Sequence, residues 1–298
     1  MKQILYSKKL APYFFILPFL VTLAVFWVVP LGRSVLMSTQ EVLYGQSTFI
    51  GLDNYQRLWR DDIFWKALFN SIRYMVLTLL ILIPIPLVLA ALVNSRIGST
   101  RIKAFFKASM FVPALTSVVV AGIVFRLIFA ESDSAMMNQV AEFFGFGPVR
   151  WLREDVTGLV ALLALALWRW AGVNMMYFLA GMQAIPSEYY EAASMDGASK
   201  FRQFIHITVP NIKPTLVYVV TISVYGGLAM FLESFMLYAG NNSPNNQGLT
   251  VVGYLYRKGI EENDLGFASA VGVVLLVIVM TINITYLFAS GTFKKQEA

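Results

Sequence analysis

Three ionisable side chains, Arg126, Arg169 and Glu233, interrupt long apolar blocks of this 298-residue sequence. A charge in such surroundings is costly, so each residue is a candidate for function. Arg126 lies within about one turn of the end of its block, and we expect its guanidinium to reach water. Arg169 lies near the centre of its block and either lines a pathway or pairs with an acid or carbonyl where two subunits meet. Glu233 contacts either a structural partner or a substrate.

A stripe of side chains beside Arg169 could hold a carbohydrate. Trp170, Asn174, Tyr177 and Gly181 are spaced i, i+4, i+7 and i+11, which places them on one helical face. Sugars are held by aromatic faces and by amide or carboxylate hydrogen bonds, because one sugar face is apolar and its rim is hydroxylated. Packing between helices uses the same residue types, so both interpretations stay open. The substrate-pathway candidates are Arg169, Trp170, Asn174, Tyr177, Tyr225 and Glu233.

The sequence lacks the residues that most other site chemistry requires. It contains no cysteine, which excludes disulfides, thiolate metal sites and a cysteine nucleophile. His206 is the single histidine, so a multi-histidine zinc site is excluded as well. The chain also has no Gly-x-x-x-x-Gly-Lys-Ser/Thr phosphate loop and no convergent nucleophile with an acid–base partner. We therefore predict no catalytic residue and no metal site.

Composition places these residues in a membrane protein. Hydrophobic residues make up 58% of the chain and charged residues 13%, and the mean hydropathy is +0.66. A soluble domain is about half apolar and about a quarter charged. The net charge of +6 comes from residues scattered between apolar blocks, which indicates membrane topology and excludes nucleic acid as a partner.

Six apolar blocks are long enough to cross a membrane, which takes about 20 residues. We expect an all-α, polytopic fold with six transmembrane helices, kinked where prolines fall inside the blocks. The whole chain, residues 1–298, is predicted to be a single transmembrane domain. The blocks are residues 12–36, 68–93, 106–130, 156–182, 215–237 and 266–290.

Basic residues predict the orientation of these helices. If the N-terminus is cytoplasmic, the inner segments carry more lysine and arginine than the longer outer segments. The positive-inside rule therefore favours both termini in the cytoplasm. The inner basic residues are Lys2, Lys8, Lys9, Arg96, Arg101, Lys103, Lys107, Lys200, Arg202, Lys213, Lys294 and Lys295.

The sequence of the longest inner loop, residues 183–214, predicts two short helices. Ser187 is expected to cap the first helix, whose first turn carries acidic residues that include Glu191. Gly197 permits a break, after which the second helix runs until Pro210 stops it. The product would be an L-shaped pair of helices at the cytoplasmic surface. An ordinary solvated connector is the alternative.

The same loop resembles a known signature. It reads Glu191-Ala-Ala, three residues, Gly197, nine residues and Ile207-x-Val-Pro210. This pattern is similar to the "EAA" signature of permease subunits of binding-protein-dependent ABC importers, with Val209 where leucine is usual. The match spans about 20 positions with the same spacing, which makes it specific.

Two further segments extend the resemblance over nearly the whole chain. Phe49-Ile-Gly-Leu-Asp-Asn-Tyr precedes the second block, and Gly181-Met-Gln-Ala-Ile-Pro-Ser-Glu precedes the loop. Both resemble the first-permease branch of the carbohydrate-uptake family, which contains the maltose and glycerol-3-phosphate permeases. The chain lacks the extra N-terminal spans and the large external insertion of the maltose-type subunit. Maltose itself is therefore not implied.

The resemblance implies a type I ABC importer permease that carries a sugar or oligosaccharide across the bacterial cytoplasmic membrane. The loop would insert into a cleft of a separate ATPase subunit, with Ile207 and Pro210 setting its geometry. No cofactor would bind this chain, and ATP with Mg²⁺ would bind the ATPase. The implied partners are a second permease, two ATPase subunits, an extracytoplasmic sugar-binding protein and membrane lipid. The implied ATPase-contact residues are Glu191, Ala192, Ala193, Asp196 and Gly197.

A secondary carrier, or a membrane-embedded enzyme acting on a glycan or lipid, is the alternative function. A carrier usually shows an internal repeat, and an enzyme should show convergent reactive groups at a membrane face. The sequence shows neither feature. Dependence of transport on ATP or on an ion gradient would separate the importer from the carrier.

Overall fold

The computed structural model describes residues 11–43, 46–95 and 99–293, which form helices and one small hairpin. Four helices of this described part are long and apolar enough to cross a membrane, and the number is up to six if each of two bent helix pairs forms one span. Several basic residues used for the orientation lie outside the described residues: Lys2, Lys8, Lys9, Arg96, Lys294 and Lys295.

The described chain forms one two-stranded sheet and a series of helices. Strands β1 (Gln40–Leu43) and β2 (Gln46–Phe49) pair antiparallel, with Gln40 opposite Phe49. The helices are α1 (Ala11–Met37), α2 (Asp53–Trp59), α3 (Asp62–Leu82), α4 (Pro84–Asn94), α5 (Thr100–Leu115), α6 (Val118–Ile128), α7 (Met136–Phe143), α8 (Asp155–Gln183), α9 (Ser187–Met195), α10 (Lys200–Asn211), α11 (Lys213–Leu228), α12 (Leu232–Leu237), α13 (Val251–Tyr256) and α14 (Leu265–Ala289).

The third predicted span, residues 106–130, is not one straight helix. Helices α5 and α6 meet at an angle of 97°. Thr116 and Ser117 between them have extended backbone, with ψ of 137° and 132°. Pro113 lies inside α5, where its missing N–H leaves the carbonyl of Ser109 without a helical donor. The bend therefore comes from local backbone chemistry within a predominantly apolar block.

The fifth predicted span, residues 215–237, is also interrupted. Helix α11 ends at Leu228, and the helix resumes as α12 only after Phe231, whose φ of −142° is not helical. A second bend, of 70°, separates α10 from α11. Pro214 follows this bend, and its missing N–H removes one bond of the ladder there.

Contacts divide the chain into two compact units. The first consists of Met1–Asp61 and Leu255–Val277, and the second of Asp62–Tyr254 and Ile278–Ala298. The single transmembrane domain that the sequence suggests for residues 1–298 stays a prediction.

In the first unit, hydrogen bonds explain the motif at residues 49–55. Gly51 takes a φ of +63°, and the chain enters α2 at Asp53. Asn54 is buried, and its amide donates to the carbonyl oxygens of Ser38 (3.1 Å) and Gln40 (2.9 Å). The motif therefore fixes α2 against the segment that leaves α1.

In the second unit, α8 is the element around which the others pack. It contacts α3, α4, α5 and α11, and it buries Leu165 and Phe178 among its apolar side chains. At Gly172 the backbone of α5 comes so close that an added Cβ would overlap the carbonyl oxygen of Met110. Small residues permit such close helix contacts within a membrane. Helix α8 therefore holds the predicted pathway stripe in a fixed position.

Candidate coupling loop and intramembrane site

The first helix of the loop, α9, begins differently from the prediction. Its cap position is occupied by Pro186, no side chain caps it, and Ser187 is its first residue. The predicted Ser187 cap is therefore wrong. Because the helix begins at Ser187, Glu188 lies in its first turn, and Glu191 lies one residue further from the positive helix end than predicted, beyond the first turn.

The turn between α9 and α10 is built around Gly197. This glycine has a φ of +73°, in the region that L side chains rarely adopt. Its N–H donates to the carbonyl of Ser194 (3.1 Å), and the N–H of Ala198 donates to the carbonyl of Ala193 (2.9 Å). These two bonds form a Schellman motif, which satisfies the last carbonyls of the helix. Backbone conformation therefore requires glycine at position 197.

Two side-chain contacts hold α9 and α10 together. Gln203 is buried, and its Nε2 donates to Ser194 Oγ (2.9 Å) and to the carbonyl of Ala198 (3.0 Å). The hydroxyls of Tyr190 and Thr208 lie 2.9 Å apart. Sequence reasoning missed these residues. Gln203 could not be identified from the sequence, because its hydrogen-bond partners belong to the preceding helix and turn and not to its own helix.

Pro210 does not stop the second helix, contrary to the prediction. The chain passes through a π-helical segment, Phe204–Thr208, and continues helically over Val209–Asn211. A wider π turn is one way for a helix to accommodate a proline ring and its missing N–H. Ile207 lies half-buried in this segment, and Pro210 is exposed.

The solvent-exposed surface of the loop combines acidic and apolar side chains. Glu191, Ala192 and Asp196 are exposed, and Ala193 is half-buried. Met195 is 85% exposed and Phe201 is 75% exposed. Large apolar side chains with this exposure, next to charged groups, are typical of a surface that binds another protein.

The two central charges of the intramembrane site pair with each other. Arg169 Nη1 donates to Glu233 Oε1 at 3.1 Å, and both side chains are largely buried. The sequence suggested that Arg169 could find its partner where two subunits meet. Its partner in the structure is instead an acidic residue of the same chain. The Arg169 guanidinium lies 5.3 Å from the ring of Trp170. Its Nε has no hydrogen-bond partner among the described residues.

Asn174 has a structural contact within the stripe. Its side chain is buried and its Nδ2 donates to the carbonyl oxygen of Leu82 at 2.9 Å. That carbonyl lacks its usual helical donor, because the residue four positions later is Pro86. Asn174 therefore satisfies a backbone group that a proline leaves free, which favours the packing interpretation for this residue.

The aromatic candidates differ in their exposure. Trp170 is 40% exposed and Tyr225 is 62% exposed. Tyr177 is half-buried, and its ring meets that of Tyr218 edge to face with centroids 5.3 Å apart. The structure thus brings Arg169, Trp170 and Glu233 together, whereas it places Tyr177 beside a different aromatic ring.

The sequence reasoning missed a further charged residue within the apolar blocks. Arg73 lies in the second apolar block and binds Asp155 with both terminal nitrogens, one at 2.8 Å. Asp155 is the first residue of α8. Its position at the edge of the fourth apolar block was the available signal. Among the described residues, no group of three or more His, Asp or Glu side chains could hold a metal ion.

Residues 82–295 match the family described as "Binding-protein-dependent transport system inner membrane component". The chain belongs to this family. It is a non-catalytic permease subunit of an ABC transporter and a multi-pass protein of the inner membrane. Membership confirms the resemblance and the helical permease fold that the "EAA" signature implied.

Two relatives and one solved structure show how far the similarity extends. The arabinooligosaccharides transport system permease protein AraP of Bacillus subtilis is 45% identical over 98% of this chain and 92% of that protein. AraP of Halalkalibacterium halodurans is 46% identical over 98% of this chain and 91% of that protein. The fold matches a chain of a bacterial alginate ABC transporter in complex with an alginate pentasaccharide-bound periplasmic protein, with a TM-score of 0.84, 22% identity and coverage of 96% and 95%.

Proposed function

We propose that this permease subunit serves an ATP-driven importer of short sugar oligomers, and that arabinose oligomers are the first substrates to test. The observation that carries this proposal is the identity of 45% and 46% with two arabinooligosaccharide permeases along almost the full length of the chain. The similarity covers 98% of this chain in both cases, so the matched region takes in the spans and the loop alike.

The loop of α9 and α10 is the proposed contact with the ATPase. The chain has no phosphate loop, so ATP with Mg²⁺ would bind a separate subunit. An exposed helix pair with apolar side chains and a fixed turn suits the transmission of movement between proteins. The contact is assigned to Glu191, Ala192, Ala193, Asp196 and Gly197, and Ile207 and Pro210 are assigned to the geometry of the loop.

The proposed assembly contains a second permease, two ATPase subunits and an extracytoplasmic sugar-binding protein. The fold match to a transporter in complex with a periplasmic protein supports the last of these partners. The distribution of basic residues supports a cytoplasmic location for the loop and both termini. Helix α1 has no buried residue in its apolar window, which suits contact with lipid or with the second permease.

The proposed substrate pathway includes the exposed aromatic residues and the central ion pair. Trp170 and Tyr225 offer ring faces to a sugar, and Glu233 lies just after the break between α11 and α12. Arg169, in this proposal, holds the carboxylate of Glu233 in place. Tyr177 stays a pathway candidate, and we revise Asn174 to a structural residue.

Uptake in cells tests the substrate class. Deleting the gene for this chain is expected to lower the initial uptake of radiolabelled arabinotriose at least about tenfold, because an importer lacking one permease has no closed pathway. Uptake of maltotriose and of a galacturonate trimer, measured in the same cells, provides the comparison. Unchanged arabinotriose uptake, together with loss of one of the other two, would show that the substrate class is wrong.

A further inference from the structure

A polar cavity lies where α3 and the start of α8 meet, apart from the loop and the central ion pair. Its volume is about 410 Å³, within the range of about 300 to 1,000 Å³ that is typical of small-molecule sites. On the proposed topology these helix ends face outside. The cavity is lined by Lys66, Phe69, Asn70, Arg73, Asp155 and Asn245.

The walls of the cavity are held by contacts within the chain. Arg73 binds both carboxylate oxygens of Asp155, and its guanidinium lies 5.7 Å from the ring centroid of Phe69. Asn70 donates to the carbonyls of Asn246 (2.8 Å) and Leu249 (2.9 Å). These contacts fix α3 against α8 and against the segment before α13. A ligand would therefore meet a largely preformed surface.

The ring face, donors and acceptors that the lining presents to the cavity fit a neutral polyhydroxylated ring. Phe69 is 62% exposed and presents a ring on which an apolar sugar face can pack. Lys66 supplies donors, and the half-exposed Asp155 carboxylate keeps acceptor capacity beyond its bonds to Arg73. Hydroxyl groups both donate and accept, so they can use each of these groups. A carboxylate ligand only accepts hydrogen bonds, so it could use Lys66 but not Asp155, whereas hydroxyl groups could use both.

We propose that this cavity is a subsite for one neutral sugar residue at the outer mouth of the permease. The proposal rests on the proposed function, because it assumes that sugar oligomers reach this face. It assigns Phe69 to stacking and Lys66 and Asp155 to hydroxyl groups. The site would hold part of an oligosaccharide after its release by the binding protein and before its entry between the spans.

Protection of an introduced cysteine tests this subsite directly, since the chain has no cysteine of its own. Asn245→Cys, at an exposed lining position that the proposal does not assign to the sugar, is reacted with a membrane-impermeant thiol reagent in proteoliposomes that contain the assembled transporter. Arabinotriose at ten times its half-protecting concentration is expected to slow the reaction about tenfold. Adding Phe69→Ala to this variant should raise the half-protecting concentration about 2- to 10-fold, and Phe69→Tyr should leave it close to its original value.

Two comparisons decide between the outcomes. Phe143→Cys, at an 84% exposed phenylalanine outside the cavity, should react at the same rate with and without sugar. ATP-driven uptake of arabinotriose is measured in the same proteoliposomes. Normal uptake without protection at Asn245→Cys overturns the subsite and leaves the proposed function standing. Protection by a galacturonate trimer but not by arabinotriose overturns the assignment to a neutral sugar. Absence of uptake by the unsubstituted transporter counts against the proposed function itself.

Discussion

The Gly197→Val variant is expected to bind the ATPase but to lose most of the ATP hydrolysis that the loaded binding protein stimulates. Gly197 has a φ of +73°, and an added Cβ would meet no atom within 4 Å, so the effect comes from the backbone alone. Holding a non-glycine residue in this region costs about 1 to 3 kcal/mol, and a β-branched residue is among the worst suited. The loop can relieve this strain by abandoning the Schellman turn. We expect stimulated hydrolysis to fall at least about tenfold.

A matched control exists in the same chain. Gly145 has a φ of +81°, has no atom within 4 Å of an added Cβ, and ends α7 through the same pair of backbone hydrogen bonds. Gly145→Val introduces comparable strain outside the loop and should leave stimulated hydrolysis near the unsubstituted value. Equal losses in both variants would indicate general destabilisation instead of a role for the loop in coupling.

Charge reversal in the loop should act at a different step. Glu191 is exposed in the second turn of α9, so Glu191→Lys changes little within the chain and alters chiefly the surface offered to the ATPase. In the proposed contact, Glu191 would pair with a basic residue of the ATPase cleft, and losing one partner of a charge pair buried in this way costs about 3 to 5 kcal/mol. Co-purification of the ATPase in mild detergent should therefore fall with Glu191→Lys and persist with Gly197→Val. Normal co-purification with Glu191→Lys would remove Glu191 from the proposed contact.

Removing one member of the Arg169–Glu233 pair is expected to have the largest effect on the stability of the folded chain. The two side chains are 13% and 15% exposed, so Arg169→Met leaves Glu233 as a largely buried charge without its partner. Such a change costs about 3 to 5 kcal/mol. The double variant Arg169→Met/Glu233→Met should recover much of that loss, because no unpaired charge remains. Thermal unfolding followed by tryptophan fluorescence in detergent measures Arg169→Met, Glu233→Met and the double variant.

The exposed pair Arg153–Glu131 serves as the comparison for these single and double variants. Its atoms lie 2.8 Å apart, but the side chains are 60% and 37% exposed. An exposed pair contributes about 0 to 1 kcal/mol, so Arg153→Met should shift the unfolding temperature little. Additive losses for Arg169→Met and Glu233→Met would contradict the description of the central pair as an interacting, buried unit.

Hydropathy was sufficient to predict the helical membrane fold, but it could not locate the breaks within the blocks. Residues 106–130 are predominantly apolar, and the 97° bend falls at two residues with extended backbone, Thr116 and Ser117. The average hydropathy of a block does not reveal the backbone conformation of single residues within it. The start of α9 was also misplaced, by one residue, because Pro186 and not Ser187 occupies the cap position.

Spacing along one helix identified the central residues but not their partners. Arg169 and Glu233 were both recognised as intramembrane charges, yet their pairing joins residues on different helices and required the fold. Asn174 shared the helical face of a sugar-binding stripe, and only the position of Pro86 across the helix contact explains its hydrogen bond to Leu82. Patterns within one segment cannot reveal contacts of this kind. By contrast, the "EAA" spacing led directly to Gly197, because its conformation is set locally by the end of α9.

Initial rates of arabinotriose uptake into proteoliposomes most directly test whether this chain is the permease of an ATP-driven sugar importer. The vesicles contain this chain, its second permease, two ATPase subunits and the sugar-binding protein, and they are energised either with ATP or with an ion gradient. We predict accumulation with ATP, no accumulation with the gradient alone, and loss of ATP-driven uptake when Gly197→Val replaces the native chain. Accumulation driven by the ion gradient without ATP would contradict the account.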